Sequence, residues 1–298
     1  MSAAIDKFNY IAVKPRFEGG YRVSYSKTEI TETIEAIQQP IIREALLLLG
    51  IRDGLEIVSI AELPGRSGLG GSSSYAVGVL NALHASGRTH AQPEKLAEEA
   101  CHIEIERLRE PIGKQDQYVA AFGGINSYEI DFDGKVRVEP IRISSHVEAE
   151  LEGNILLFFT GMKRDASGIL GGIKQSEMKG TGQVVDTMHK IKDIGYQIRD
   201  ALVAGDLTHF GELLDTHWQT KKHLSGDISN ARIDELYEVA KRNGAIGGKI
   251  MGAGGGGFFM FYSHVEKKAK LREAMMREHL KEVRFRFDYE GSKITLNL

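Results

Sequence analysis

PGRSGLGGSSSYAVGVL, residues 64–80, carries four glycines and four serines in its first eleven positions. One or two glycines close an ordinary turn between a strand and a helix, so this stretch is built to hold something. Downstream, Ala76, Val79, Leu80 and Leu83 fall at i, i+3, i+4 and i+7, the spacing of one helix face. Upstream, LEIVSIAEL (55–63) reads as a strand, which gives the order strand, glycine-rich loop, helix.

A loop entering a helix N-terminus offers unpaired backbone N–H groups and the positive end of the helix dipole, and glycine lets a ligand come close to that backbone. Phosphate is the natural guest. The charge–dipole contribution is only about 0.3–1 kcal/mol at an exposed site, so several N–H bonds and a metal must share the work. The serines can cap the helix or coordinate Mg²⁺, and a plain glycine turn with serine caps is the simpler alternative. A Walker A loop would need a lysine after the last glycine, which GLGGSSS lacks. A Rossmann loop belongs in a parallel βαβ unit, whereas the strands around this loop read as antiparallel.

The rest of the chain bounds the class. Its 298 residues allow one or two domains, and 42% hydrophobic with 27% charged residues is the composition of a folded globular protein. A net charge of −3, with 38 Lys and Arg against 41 Asp and Glu spread along the chain, gives no nucleic-acid footprint. No apolar run is long enough to span a bilayer and MSAAIDKFNYIAVK has no secretory pattern, so a cytoplasmic location without membrane contact is expected. Cys101, the single cysteine, cannot form an intrachain disulfide; within AEEACHIEIE it reads as a small buried helix residue rather than a nucleophile.

Alternation in IDKFNYIAV (5–13) and YRVSYSKTEI (21–30), with FEGG between them, predicts an opening hairpin. Helices are expected near PIIREALLLLGI (40–51), from Pro93 to Leu108, and in GKQDQYVAAFGG (113–124). INSYEIDFDGKVRVEPIRI (125–143) reads as two strands about a DFDG turn. The polar stretch 144–154 marks a boundary between domains at 1–147 and 148–298. Beyond it come the strand ILLFF, long helices to Asn243 broken near TKKHLSGDISN, strands IGGKIM and GFFMFY, a helix over 264–280, and closing strands VRFRFDYE and KITLNL. The fold class is α+β.

Two carboxylates stand out. Glu104 shares a helix face with Ala97, Ala100, Cys101 and Leu108, where an ionised group needs a metal or a buried partner. Asp116, after Gly113 and Lys114, is an ordinary acidic residue of a helix first turn or, beside a phosphate, a group to take a proton from an attacking hydroxyl. GKIMGAGGGGFFMF (248–261) holds more glycines than a hairpin needs, and close approach of another backbone or of a phosphate-bearing loop accounts for them.

In this order, PGRSGLGGSSS and KIMGAGGGGFF resemble the second and third motifs of the GHMP kinase superfamily, the former usually written P-x-x-x-G-L-G-S-S-A. IDKFNYIAV, YRVSYSKTEI, EPIGKQDQYVAAFGG, FFTGMKRDASGIL and HWQTKKHLSGDIS are similar to its D-glycero-D-manno-heptose 7-phosphate kinase branch. The resemblance implies a ribosomal protein S5 domain 2-like N-terminal domain and a ferredoxin-like C-terminal one. It further implies ATP and Mg²⁺ as cofactors, a sugar phosphate as acceptor, and leaves a homodimer open.

Carried over, Pro64, Gly68, Leu69, Gly70, Gly71, Ser72 and Ser73 would wrap the ATP phosphates, Ser72 and Glu104 would hold Mg²⁺, and Asp116 would be catalytic. Gly252, Ala253, Gly254, Gly255 and Gly256 would support the phosphate loop and contact substrate. Lys163, Arg164, Lys221 and Lys222 are candidates for the acceptor's phosphate, although any one of them is more often a surface charge. Gly71 stands where the family has the first Ser of its pair, which leaves Ser72 as the metal ligand. Relatives of the branch also carry an earlier strand with a motif like PLRISFGGGTD, whereas Met1 here precedes SAAIDKF, so the first sheet is expected to present an edge.

Overall fold

The computed structural model describes residues 1–297 apart from 66, 163–165 and 179–181. Its contacts divide the chain into two units, residues 2–65, 70–124 and 288–298 in the first, and residues 1, 66–69 and 125–287 in the second.

The first unit contains β1 (Ser2–Ala3), β2 (Asn9–Pro15), β3 (Tyr21–Ser24), β4 (Thr28–Thr31), α1 (Pro40–Leu49), β5 (Leu55–Ala61), α2 (Gly71–Ser86), α3 (Pro93–Cys101) and α4 (Gln115–Phe122). Four strands form a sheet in the order β2-β5-β3-β4. The expected hairpin between the first two long strands is therefore corrected: β5 lies between them, antiparallel to β2 and parallel to β3. YRVSYSKTEI makes its own hairpin, β3 with β4. Leu55 and Ile57 of β5 pair with Tyr21 and Val23 of β3, the four buried residues at the middle of the sheet, and the glycine turn crosses the start of β5 at Gly54, where a Cβ would stand 2.7 Å from the Gly20 carbonyl oxygen.

α2 buries Ala76, Val79, Leu80 and Leu83 completely, as its spacing requires. Against it, α3 packs Leu96, Ala97 and Ala100. The helix that begins at Pro93 does not stay α-helical to Leu108; residues His102–Arg107 form a π-helical turn, with the Leu108 N–H donating to the Ile103 carbonyl. Such widened turns recur where a side chain must be re-aimed.

The second unit contains β6 (Ile125–Ile130), β7 (Val136–Pro140), α5 (Ser145–Asn154), β8 (Ile155–Phe159), α6 (Ala166–Met178), α7 (Gly182–Ala204), α8 (Leu207–Lys221), α9 (Ala231–Arg242), β9 (Gly247–Ile250), β10 (Phe258–Tyr262), α10 (Val265–Arg277) and β11 (Lys281–Val283). β6 and β7 pair as a hairpin about the DFDG turn. The polar stretch 144–154 folds as α5, capped by the Ser144 hydroxyl, and the exchange between units falls at Gly124 and Ile125.

An antiparallel sheet in the order β11-β8-β10-β9 carries this unit. Phe158, Phe259, Phe261 and Ile250 pack against Trp218, Tyr237, Leu271 and Met275, while Tyr262 packs with Phe210, Leu213, Ile198 and Leu202. The expected closing strands are corrected too. Only Lys281–Val283 is a strand, because residues 288–291 spend their backbone groups on the first unit's loops: Gly124 N–H donates to Asp288 O at 2.6 Å and Asp288 N–H to Ala4 O at 3.0 Å.

Candidate active site

Within the first unit the glycine stretch turns into α2 at Gly70, whose φ of 67° is left-handed and favours glycine. No side chain caps this helix start, so its first N–H groups stay available. Asn9 of β2 steadies the first turn from outside, its amide donating to the Gly71 carbonyl at 3.3 Å and to Ser74 Oγ at 3.2 Å.

Ser72, on the first turn, donates its hydroxyl to Glu104 Oε1 at 2.6 Å. Glu104 is 1% exposed and receives a second bond on Oε2 from the Gln117 amide at 2.7 Å. It is thus held by hydrogen bonds from two helices, with no ion pair among the described residues, and it lies on the π-helical turn. Gln117 Oε1 is buried without a partner among the described residues, an acceptor left facing inward beside the carboxylate.

Asp116 is exposed on the first turn of α4 and lies against the loop, a Cβ on Gly70 falling 3.4 Å from Asp116 Cγ. A Cβ on Gly70 would be in ordinary contact with that carboxylate, so the left-handed φ rather than space is what favours glycine there. Lys114, two residues before it, bonds Glu98 at 3.1 Å through both carboxylate oxygens, and the Tyr118 hydroxyl also donates to Glu98. Cys101 is buried, which pushes its thiol up to about 12 and leaves it an inert packing residue.

In the second unit, Ser67 and the glycine run meet. Phe258 N–H donates to the Ser67 carbonyl at 3.1 Å, and a Cβ on Gly257 would overlap that same carbonyl oxygen. The other glycines are excluded from carrying side chains by other backbones: Gly254 by the Ile228 carbonyl and Gly256 by that of Met162, each 2.8 Å from a hypothetical Cβ. Gly255 N–H donates to Ile228 O at 2.8 Å, and the Thr160 hydroxyl and N–H both donate to Gly257 O at 2.9 Å. This run is a backbone clamp on Ser67, in the segment 66–69.

Of the candidate cations, Lys221 donates to the Gly252 carbonyl and so braces the clamp. Lys222 pairs with Asp234 at 3.3 Å beside the Trp218 ring, as a structural ion pair. Lys163 and Arg164 lie outside the described residues. The sequence reading missed Gln117, Ser67 and Gly257 as site members. Gln117 had left a signal, a polar side chain on the helix face it shares with Ala121, at i+4.

A glycine loop at a helix start, a carboxylate against it and a buried carboxylate bonded to the loop's serine define a small-molecule phosphotransferase. Comparison with known proteins makes the class specific. The GHMP kinases N terminal domain profile matches residues 30–124, and the GHMP kinases C terminal profile residues 198–282. The chain is 36% identical over 233 residues to D-glycero-alpha-D-manno-heptose 7-phosphate kinase of Campylobacter jejuni, covering 78% of this chain and 68% of that protein.

Among solved structures it resembles a D-glycero-D-manno-heptose 1-phosphate kinase from Bacteroides thetaiotaomicron, with TM-score 0.79, 24% identity, and coverage of 99% of this chain and 90% of that one. It also resembles Lactococcus lactis galactokinase, with TM-score 0.79, 17% identity, and coverage of 98% and 88%. The chain belongs to the GHMP kinase family and is a sugar kinase of that type. Kinases of this family use ATP as phosphoryl donor. No helix among the described residues is long and apolar enough to cross a membrane.

Proposed function

We propose that the chain transfers the γ-phosphoryl group of ATP to the anomeric hydroxyl of D-glycero-D-manno-heptose 7-phosphate, giving the 1,7-bisphosphate and ADP. The observation that carries the chemistry is Asp116 lying against Gly70 of the loop that opens α2, with Glu104 bonded to Ser72 one turn on. The identity with the Campylobacter enzyme supports the acceptor.

In this reading the loop N–H groups bind the phosphates, and Asp116 accepts the proton of the sugar hydroxyl as its oxygen attacks the γ-phosphorus. The bond to the β-phosphate oxygen breaks and ADP leaves. Ser72 Oγ and Glu104 Oε1 are hard oxygen donors of the kind Mg²⁺ takes, and the orphaned Gln117 Oε1 adds an acceptor beside them. Mg²⁺ held there would neutralise phosphate charge; Ser72 and Glu104 would position it, and Gln117 would keep Glu104 oriented. Cytoplasmic action on soluble sugar phosphates, as a monomer or homodimer, fits this chemistry.

A second reading, a fucose-type acceptor, is favoured by 27% identity to the bifunctional fucokinase/GDP-fucose pyrophosphorylase of Arabidopsis thaliana, of which the chain spans 23%. Coupled ADP release with heptose 7-phosphate, fucose and galactose decides between them. Turnover of the heptose phosphate that disappears in Asp116→Asn is the expected result. Preference for fucose would overturn the acceptor, and no turnover with ATP bound would overturn the kinase chemistry of this chain.

A further inference from the structure

α8 and β9 lie side by side in the second unit and run the same way. A Cβ on Gly247, at the start of β9, would overlap the Gly211 carbonyl and come within 2.7 Å of Asp215 N, while Lys221 reaches the Gly252 carbonyl just beyond the strand's end. Lys249 points to the same face of β9 as Gly247, because side chains alternate along a strand. It therefore meets α8 between Asp215 and Lys221, at the level of His217.

Three observations make this juxtaposition unusual. Lys249 has no hydrogen bond or ion pair among the described residues, and burial alone acts on it, holding its ammonium near 8 instead of the ordinary 10.5. His217 Nδ1 is buried and unpartnered, and so is the indole Nε1 of the next residue, Trp218. Among the described residues the charges that act on His217 share one sign: Lys249 first, then burial, then Lys221 hold it neutral, down to about 2. Asp215, two residues before His217, is already taken by the Tyr237 hydroxyl at 2.6 Å and Lys241 at 2.9 Å.

A half-buried cation with unpaired donors beside it and no carboxylate is costly to fold around, and anion binding is what relieves it. The position is three residues before the glycine clamp. We propose that Lys249 and His217 form a receptor for a phosphate group within the second unit. Lys249 supplies the charge, and neutral His217 donates through Nδ1–H. Lys221 and Lys222 are not part of it, being engaged by Gly252 and Asp234.

The chain carries one tryptophan, Trp218, and it adjoins the receptor. Inorganic phosphate should change its emission saturably and raise the melting temperature of the whole chain. Lys249→Met should lose the Trp218 response yet melt higher than the native chain in phosphate-free buffer, since an unpaired cation has been replaced by an apolar side chain. Lys249→Arg should keep the response.

Because the folded protein gives up the Lys249 proton near 8 and the unfolded chain near 10.5, stability of the free protein should climb as pH rises through that window. That climb should be absent in Lys249→Met. No saturable response in the native chain, or an equal response in Lys249→Met, overturns the receptor. A response lost in Lys249→Met and kept in Lys249→Arg supports the receptor.

Discussion

The two glycine-rich stretches use the same residue for opposite purposes. At Gly70 the left-handed backbone turns the chain into α2, with Asp116 lying beside it and Ser72 beyond it bonded to the buried Glu104. At Gly254, Gly256 and Gly257 the missing side chains make room for backbone, the carbonyls of Ile228, Met162 and Ser67 in turn. The first glycine serves a turn with polar side chains around it, and the other three serve close packing. A glycine count cannot separate the two; what stands where Cβ would be does.

Substitutions sharpen that contrast. Gly257→Ala should have the largest effect, at least about 3 kcal/mol, because its φ of 89° is unfavourable for alanine and the new methyl overlaps the Ser67 carbonyl. Chemical denaturation would register it, and a loss below 1 kcal/mol would mean the clamp is not tight. Asp116→Asn should leave stability alone while lowering kcat about 10²- to 10⁴-fold; unchanged turnover would remove Asp116 from the chemistry.

Glu104→Gln keeps the shape of the buried carboxylate but not its charge. The Mg²⁺ concentration for half-maximal rate should rise roughly 10- to 100-fold, and a titration showing no change would make Glu104 purely structural. Lys222→Met should do least. Its ion pair with Asp234 is partly exposed, so the loss should stay under about 1 kcal/mol with the acceptor KM unmoved.

Much of the first unit could be read from its residues because the signals were local. The strand, loop and helix of residues 55–86 follow from periodicity and glycine placement, and Glu104 betrays itself as a charge on an alanine face. Strand order could not be read this way. β5 enters between β2 and β3 because Gly54 lets a distant loop cross it, a pairing that no window of neighbouring residues contains. The clamp was half legible: the run of glycines announced close approach, but that Ser67 is what approaches Gly257 depends on residues nearly two hundred positions apart. VRFRFDYE alternates like a strand and is none past Val283, since from Asp288 on its residues join the first unit and bond the backbone of Gly124 and Ala4 there.

That last arrangement bears on how the protein is made. Gly291 fits so closely against Gly123 that neither position admits a side chain, and the Asn81 amide donates to the Ser292 hydroxyl at 3.0 Å. The first unit is therefore incomplete until residues 288–298 exist, although its other residues leave the ribosome before the span 125–287 is translated. At synthesis rates of roughly 5–20 residues per second, the nascent unit waits about ten to thirty seconds for the segment that seals it.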